Sequence, residues 1–316
     1  MHWFAQAPAN IALIKYMGKK ETASNLPDNS SLSYTLDHLL STVRLESIMG
    51  DEDRWEPLIS KENPEALVLS TSGQQRFIAH LQRLKQYFGY SGSFLIQSTN
   101  NFPHGSGLAS SASSFAALTR CAAMALSELT DKPLPLVAEQ AQLSRMGSGS
   151  SCRSFFSPWA LWQEEAVFEV VLPYSHLLHQ VVVISEKEKA VSSSEAHQRV
   201  KSSALYQARP ARAEARLKDL LAAFEAQNWP LIYQLCWDDF QEMHQLFSSC
   251  EQPFAYITEQ SLQVLNKLTA LWQERGDGPI VTMDAGPNIH LLYRDDQQDM
   301  AQQFYVEHLK GTFHVL

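Results

Sequence analysis

Apolar positions spaced three and four residues apart alternate along the chain with short, continuous apolar runs. The first pattern is typical of helices that bury one face, and the second of strands in a core. The first pattern predicts helices over residues 74–88, 108–129, 136–146, 211–226, 230–247 and 260–275. The second predicts strands over residues 7–16, 93–97, 160–162, 167–172, 180–184, 279–283 and 289–293, and a strand or hairpin over 31–46. Residues 49–66 are polar and contain proline, so we expect a loop there.

The character of the chain changes near residues 172–180, where mixed strands and helices give way to a mainly helical part. At 316 residues, the chain also exceeds the size at which a single hydrophobic core stops growing. We therefore expect two lobes, residues 1–175 and residues 176–316.

Composition and charge limit the possible partners. The net charge of −9 argues against nonspecific binding to nucleic acid or a membrane surface, so an anionic ligand would need a local basic pocket. No apolar run approaches the roughly 18 residues that a membrane span requires. The N-terminal lysines follow the apolar run, the reverse of a signal peptide, and we expect a cytoplasmic protein. The four cysteines are widely spaced and are expected to be reduced thiols.

Small residues gather at the start of the long predicted helix, in the stretch NNFPHGSGLASSASS of residues 100–114. Gly105 and Gly107 would let backbone N–H groups point to one place, which the positive end of the helix also faces. Ser110 and Ser111 add hydroxyl groups there. This pattern is typical of a phosphate-binding loop, although serine and glycine are also favoured at helix starts for local reasons.

Three later stretches carry candidate functional side chains. Arg153 lies in the small-residue segment GSGSSCRS, and Lys189 opens the hydroxyl-rich segment KAVSSS. Asp284 follows a predicted strand and precedes a Gly-Pro turn, a position from which its carboxylate could project into a cleft. Each also has an ordinary explanation: a surface salt bridge for Arg153, a solvated loop for Lys189 and a turn for Asp284.

Together and in this order, six segments resemble the GHMP small-molecule kinase superfamily and, more closely, the diphosphomevalonate decarboxylase family. They are NIALIKYMGK (10–19), NLPDNSSLSYTL (25–36), NNFPHGSGLASSAS (100–113), GSGSSCRS (147–154), KAVSSS (189–194) and MDAGPN (283–288). The last three distinguish the decarboxylases from the kinases. The resemblance implies an α+β, two-lobed GHMP-kinase-like fold with its active site in the cleft between the lobes, and it suggests a homodimer.

The resemblance further implies an ATP-dependent conversion of mevalonate 5-diphosphate to isopentenyl diphosphate, with ADP, phosphate and carbon dioxide released. The tertiary 3-hydroxyl is a poor leaving group, so ATP would first phosphorylate it. Gly105, Gly107, Ser110 and Ser111 would hold the nucleotide phosphates, with Ser110 or Ser111 near Mg²⁺. Lys189 would reach the γ-phosphate.

By the same resemblance, Asp284 lies beside the substrate hydroxyl, as a base or as an electrostatic partner, and Arg153 binds the carboxylate. Asn10 and Lys15 lie near this reacting end. The diphosphate or its neighbourhood would be bound by Tyr16, Lys19, Ser148, Ser150 and Ser193.

The chain departs from the family pattern at four places. Met17 stands where the family usually has tryptophan, His104 and Ser106 replace smaller or less polar residues, and Ser194 begins an unusual continuation through His197. These departures concern nucleotide affinity and the diphosphate end of the site. They leave Arg153 and Asp284 untouched.

Three alternatives stay open at the level of sequence. A GHMP kinase that only phosphorylates would keep Asp284 without needing Arg153, and a decarboxylase of mevalonate 5-phosphate would keep Arg153 with different diphosphate contacts. A catalytically silent binding paralogue should have lost Lys15, Arg153 or Asp284, and all three are present. The chain lacks the motifs of P-loop NTPases, serine hydrolases and protein kinases.

Overall fold

The structure, a computed structural model, describes residues 1–21, 23–59, 67–102, 110–186 and 189–316. Its strands are β1 (His2–Ile14), β2 (Lys19–Glu21), β3 (Leu26–Pro27), β4 (Ser31–Ile48), β5 (Arg54–Pro57), β6 (Ser93–Asn100), β7 (Trp159–Gln163), β8 (Ala166–Glu169), β9 (Leu178–Val183), β10 (Ile280–Thr282), β11 (Ile289–Tyr293) and β12 (His314–Val315). Its α-helices are α1 (Thr71–Phe88), α2 (Ser110–Thr130), α3 (Val137–Arg145), α4 (Ser193–Arg199), α5 (Arg209–Glu225), α6 (Trp229–Ser249), α7 (Glu259–Arg275) and α8 (Gln298–Phe304).

The described strands form two main sheets and a small β2–β3 pair. The first has the order β5-β6-β4-β7-β8, with β1 antiparallel to β4, and the second has the order β10-β11-β9-β12. This mixed architecture confirms the predicted α+β class. The strands of the first sheet precede residue 175, and those of the second follow it. The division of the chain into two lobes at that position stays a prediction.

Strand β1 links the two halves of the molecule. Its side chains are alternately exposed and buried from His2 to Ala7, and all are buried from Ala9 to Ile14. The first half of the strand therefore has one exposed face, whereas the second half lies in the interior. Apolar residues of its buried half, Ile11 among them, share one core with β9, β11 and helices α5–α7. The earlier residues of β1 instead pack in a second core with helices α1 and α2. The end of β1 is therefore fixed from both sides.

Most predicted elements are confirmed to within a few residues. The first helix ends as expected, because Gly89 adopts the left-handed conformation (φ 71°) that closes it. Segment 31–46 is one continuous strand and not a hairpin, since β4 pairs with β1 along most of its length.

The expected loop at 49–66 was wrong in part, because it contains β5, which pairs in parallel with β6, and residues 60–66 of it lie outside the described residues. This edge strand has four residues and buries only Trp55, so the sequence offers no repeated apolar position from which to predict it. The short helices α4 and α8 were also missed, because seven residues span barely two turns of a pattern. All four cysteines are buried and free. Within the described residues, no helix combines the length and apolarity that crossing a bilayer demands.

Candidate active site

A cleft of about 420 Å³ opens where the end of β1, the start of α2 and three connecting segments converge. Eleven of the residues predicted from the sequence line it: Lys15, Tyr16, Lys19, Ser110, Ser111, Ser148, Ser150, Arg153, Lys189, Ser193 and Asp284. Asn10 lies behind them and contacts Arg153. Gly105 and Gly107 fall outside the described residues, as do the departures His104 and Ser106.

Lys15 and Asp284 form an ion pair in the cleft. The Lys15 ammonium lies 2.6 Å from Asp284 Oδ1. The backbone of Lys15 is held independently: its N–H donates to Asp239 Oδ2 at 2.7 Å, and its carbonyl accepts from Arg209 Nη2 at 2.9 Å. The end of β1 is thus fixed by main-chain hydrogen bonds, which leaves the Lys15 side chain free to serve the cleft.

Asp284 follows β10, as the sequence predicted, and its side chain remains 29% exposed toward the cleft. Burial favours the neutral form, but the positive charge of Lys15, assisted by His290 and Arg153, holds the pKa of Asp284 below its ordinary value. Burial lowers the pKa of Lys15, and Asp284 partly offsets that effect. Asp284 is therefore an ionised carboxylate with lone pairs directed at the cleft.

Arg153 is carried on a 3-10 turn, Gly149–Phe155, and is only 4% exposed. Its Nε donates to Asn10 Oδ1 at 3.2 Å and its Nη1 to Ser31 Oγ at 3.0 Å. Asn10 is oriented in turn by its own donation to Ser154 Oγ at 2.8 Å. Among the residues that the structure describes, Arg153 forms no salt bridge, so the ordinary alternative of a surface pair finds no support there. A buried guanidinium with only neutral partners suits an anionic ligand.

Glycine is required beside this arginine because other side chains approach the backbone closely. A side chain at Gly149 would overlap the Tyr16 hydroxyl, and one at Gly147 would overlap the Phe115 ring. The Tyr16 ring packs edge-on against Trp162 and stacks on His197 at 4.6 Å between ring centres. Burial raises the pKa of the Tyr16 hydroxyl, which therefore stays protonated and can donate to a phosphate.

The residues predicted to bind nucleotide lie along another part of the cleft. Ser110 and Ser111 begin α2, and the Lys189 ammonium donates to Ser193 Oγ at 3.1 Å and to the Ala285 carbonyl at 2.5 Å. Burial lowers the pKa of Lys189, and the nearby charge of Asp284 opposes that effect. Hydroxyl oxygens at a helix start and a lysine near the Asp284 carboxylate are groups that fit nucleotide phosphates with Mg²⁺.

Two of the departures now have a structural setting. Met17 is 3% exposed and packs with Val191 and Met243. It therefore connects the segment after β1 with α6 through apolar contacts. Ser194, at the start of α4, lines the cleft itself.

Sequence reasoning missed other residues of the site. Asn25 accepts from Lys19 Nζ at 2.6 Å, and Arg76 lines the cleft from α1. Asn25 carried a signal as part of a turn-forming segment, whereas Arg76 resembled any charge on the outer face of a helix.

The fold and the cleft first define a class. The two sheets of this α+β molecule, with a helix start, a lysine–aspartate pair and Arg153 facing one cleft, agree with the GHMP-kinase-like class that the resemblance implies. Residues 7–169 match the model of the diphosphomevalonate decarboxylase-like N-terminal domain, and residues 180–314 match that of the mevalonate 5-diphosphate decarboxylase C-terminal domain. The chain therefore belongs to the diphosphomevalonate decarboxylase family.

Comparisons with individual proteins lead to the same family. The diphosphomevalonate decarboxylase of Ganoderma lucidum is 32% identical, with 90% of this chain and 76% of the relative covered. A mevalonate diphosphate decarboxylase from Legionella pneumophila has a solved structure that is 63% identical, with all of both chains covered and a TM-score of 0.95. A structure of MDDEF in complex with MVAPP, AMPPCP and magnesium is 28% identical, covers 100% of this chain and 96% of that one, and has a TM-score of 0.87.

Proposed function

We propose that the protein catalyses the ATP-dependent decarboxylation of mevalonate 5-diphosphate to isopentenyl diphosphate, releasing ADP, phosphate and carbon dioxide. The observation that carries this proposal is the buried Arg153, without a salt bridge in the described part of the chain, in the same cleft as Asp284. A kinase that only phosphorylates the hydroxyl has no need of a buried cation for a carboxylate. A decarboxylase does.

Arg153 binds and orients the substrate carboxylate. Its bonds to Asn10 and Ser31 fix the guanidinium plane, and the rings of Tyr16 and Trp162 pack against it at 5.7 Å. A planar guanidinium can engage a carboxylate through two parallel hydrogen bonds. This fixes the carbon–carbon bond that must break, which is the geometric part of the rate enhancement.

Asp284 acts on the 3-hydroxyl. As an ionised carboxylate paired with Lys15, it accepts the hydroxyl proton or stabilises the developing positive charge. ATP supplies the phosphoryl group that turns the hydroxyl into a leaving group. When phosphate departs with the electrons of the carbon–oxygen bond, the electron pair of the bond to the carboxylate forms the alkene, and carbon dioxide leaves.

The nucleotide phosphates are bound by Ser110, Ser111 and Lys189, with Gly105 and Gly107 assigned to the same task by family resemblance. Ser110 would lie near Mg²⁺, which would supply positive charge to the nucleotide phosphates. Tyr16, Lys19, Ser148, Ser150 and Ser193 bind the substrate diphosphate. The homodimer and the cytoplasmic location stay predictions, and sedimentation of the purified protein tests the first.

The deciding experiment measures ADP and carbon dioxide formed from mevalonate 5-diphosphate, ATP and Mg²⁺. We expect equal amounts of the two products. ADP without carbon dioxide would reduce the protein to a kinase. The same assay with mevalonate 5-phosphate tests the other alternative, since a clear preference for the monophosphate would overturn the substrate assignment.

A further inference from the structure

Three histidines on strands β4, β9 and β11 form a chain of hydrogen bonds that runs from the interior to the surface. His179 Nε2 lies 2.9 Å from His290 Nδ1, and His179 Nδ1 lies 3.1 Å from His38 Nε2. His290 is fully buried, His179 is 8% exposed and His38 is exposed. We call these three residues the histidine chain. Its inner end is His290 and its outer end is His38.

Strand register brings the inner end of the histidine chain to Asp284. In the antiparallel β9–β11 pair Val181 lies opposite His290, so His179, two residues from Val181, is on the same sheet face as His290. On the other side of β11, Thr282 lies opposite His290, and Asp284 follows Thr282 by two residues. Burial lowers the pKa of His290 to about 4, and the negative charge of Asp284 partly opposes that effect. The chain therefore begins beside the carboxylate that the proposed mechanism uses.

The ring nitrogens of the chain have one consistent assignment of protons. His290 Nε2 is buried and has no hydrogen-bond partner among the residues that the structure describes, a costly arrangement that calls for an explanation. If each ring carries its proton on Nδ1, His290 donates to His179, His179 donates to His38, and His290 Nε2 keeps a lone pair. Burial lowers the pKa of His179 and of His38 as well, so the rings are neutral, as this assignment requires.

This geometry fits proton transfer and does not fit a metal site. His179 turns its two ring nitrogens to different neighbours, so the three rings have no common point at which to coordinate an ion. Over the described ranges, no three potential metal ligands are grouped around one point. The three histidines are also absent from the described lining of the cleft, so they can reach the reaction only through Asp284.

The two tasks of Asp284 give the histidine chain a role. A carboxylate that accepts the hydroxyl proton during phosphoryl transfer becomes neutral, and it then lacks the negative charge that stabilises C3 when phosphate departs. Resting on the proposed function, we propose that the histidine chain takes this proton from Asp284 between the two steps and so restores the carboxylate. Asp284 can then serve first as a base and afterwards as an electrostatic partner.

The transfer balances at every atom. One proton passes from Asp284 to His290 Nε2, one from His290 Nδ1 to His179 Nε2, one from His179 Nδ1 to His38 Nε2, and one from His38 Nδ1 to water. No electrons are exchanged, and each ring ends neutral with its proton on Nε2. After the phosphate has departed, the reverse transfers return one proton through Asp284 to that phosphate. The rings are then back in their starting arrangement.

The first test removes the exposed end of the chain. His38→Ala should lower kcat for carbon dioxide release at least about tenfold, since positioned proton transfer contributes about 10² to 10⁴-fold. The KM values for ATP and mevalonate 5-diphosphate should stay nearly unchanged. Imidazole added to the solution can take the place of the exposed ring and should restore kcat in a saturable manner. His176→Ala is the matched control, because His176 is exposed and pairs with Asp295 outside the chain, and it should show neither the loss nor the imidazole response.

The second test interrupts the middle of the chain. His179→Gln keeps groups that form hydrogen bonds, but an amide does not pass a proton from one side to the other. We expect a loss of kcat at least as large as for His38→Ala, without rescue by imidazole, because this position is buried. The ratio of kcat in H₂O to kcat in D₂O should be larger in both variants than in wild type, since proton transfer becomes the slow step.

A normal kcat in folded His179→Gln, or a loss in His38→Ala that imidazole does not restore, would overturn the proposed proton relay. Circular dichroism melting shows whether each variant is folded, and if His179→Gln is not, the exposed position of His38 leaves the first test decisive. A purely structural role would lower the melting temperature without an isotope or imidazole response. Failure of the wild-type protein to release carbon dioxide would instead contradict the proposed function, so the two results can be distinguished.

Discussion

Two clusters of buried charge lie next to each other in this molecule and are built in opposite ways. Between α5 and α6, Arg209 and Arg216 each pair with both Asp239 and Glu242, at 2.7 to 3.0 Å. In the cleft, the buried Arg153 has only neutral hydrogen-bond partners in the described part of the chain. In the first cluster each arginine has an acidic partner, whereas Arg153 would gain one only when an anion binds.

The partners of each arginine distinguish a charge that stabilises the fold from one that serves a ligand. In the α5–α6 cluster the arginines and carboxylates pair with one another. Asp239 and Arg209 also form hydrogen bonds with the backbone of Lys15. The cleft keeps Arg153 without an acidic partner in the described part of the chain, at a cost in stability that is common in sites that bind charged substrates. Burial alone does not separate the two, since Arg153 and Arg209 are both almost fully buried.

The largest expected effect is on catalysis at Asp284. Asp284→Asn keeps the size of the side chain but removes its charge, so turnover should fall by about 10² to 10⁴-fold with substrate Kd nearly unchanged. Steady-state kinetics and calorimetry measure these two quantities. If the folded variant kept more than about a tenth of wild-type turnover, the mechanism proposed for Asp284 would have to be abandoned.

The same substitution in the structural cluster should act on stability. Asp239→Asn leaves Arg209 and Arg216 with less negative charge in a buried place, and the free energy of unfolding should fall by about 3–5 kcal/mol. The loss for Asp284→Asn should be smaller, because Lys15 can release its proton whereas the arginines cannot. Urea denaturation of both variants measures the difference. Equal losses would mean that the two clusters do not differ as described.

A second matched pair compares the arginines. Arg153→Met removes the carboxylate partner, and kcat/KM should fall roughly 10- to 150-fold, while the free energy of unfolding changes by less than about 1 kcal/mol. Arg209→Met should instead lower that free energy by about 3 kcal/mol or more. Chemical denaturation and initial rates check both statements. Marked destabilisation by Arg153→Met would assign that arginine a structural role.

The smallest effect is expected at the nucleotide side. Lys189→Ala removes one charge-assisted contact to phosphate, and Ser110→Ala one hydroxyl, so the KM for ATP should rise about tenfold. The affinity for mevalonate 5-diphosphate should change less. Lys218→Ala, on the exposed face of α5, is the matched lysine control. Normal ATP kinetics together with lost substrate binding would place Lys189 and Ser110 at the wrong end of the cleft.

Local patterns in the amino-acid sequence predicted the helices, most strands and the short segments that carry Arg153, Lys189 and Asp284. These features are local: helical periodicity, glycine at a helix end and small residues around a cation are all visible within a few positions. The order of the segments, compared with a known family, was enough to predict the fold class and the chemistry.

Which charges form ion pairs is visible only in the folded structure. Asp239 and Lys15 are far apart in the chain, yet they meet because the end of β1 lies against α6. Arg76 is an exposed charge on α1, and only the folded structure shows that it lines the cleft. Ion pairing depends on distances between distant segments, and no local pattern encodes those distances. For this reason the sequence could name Arg153 as a candidate, but only the fold shows it as a buried cation held by neutral partners.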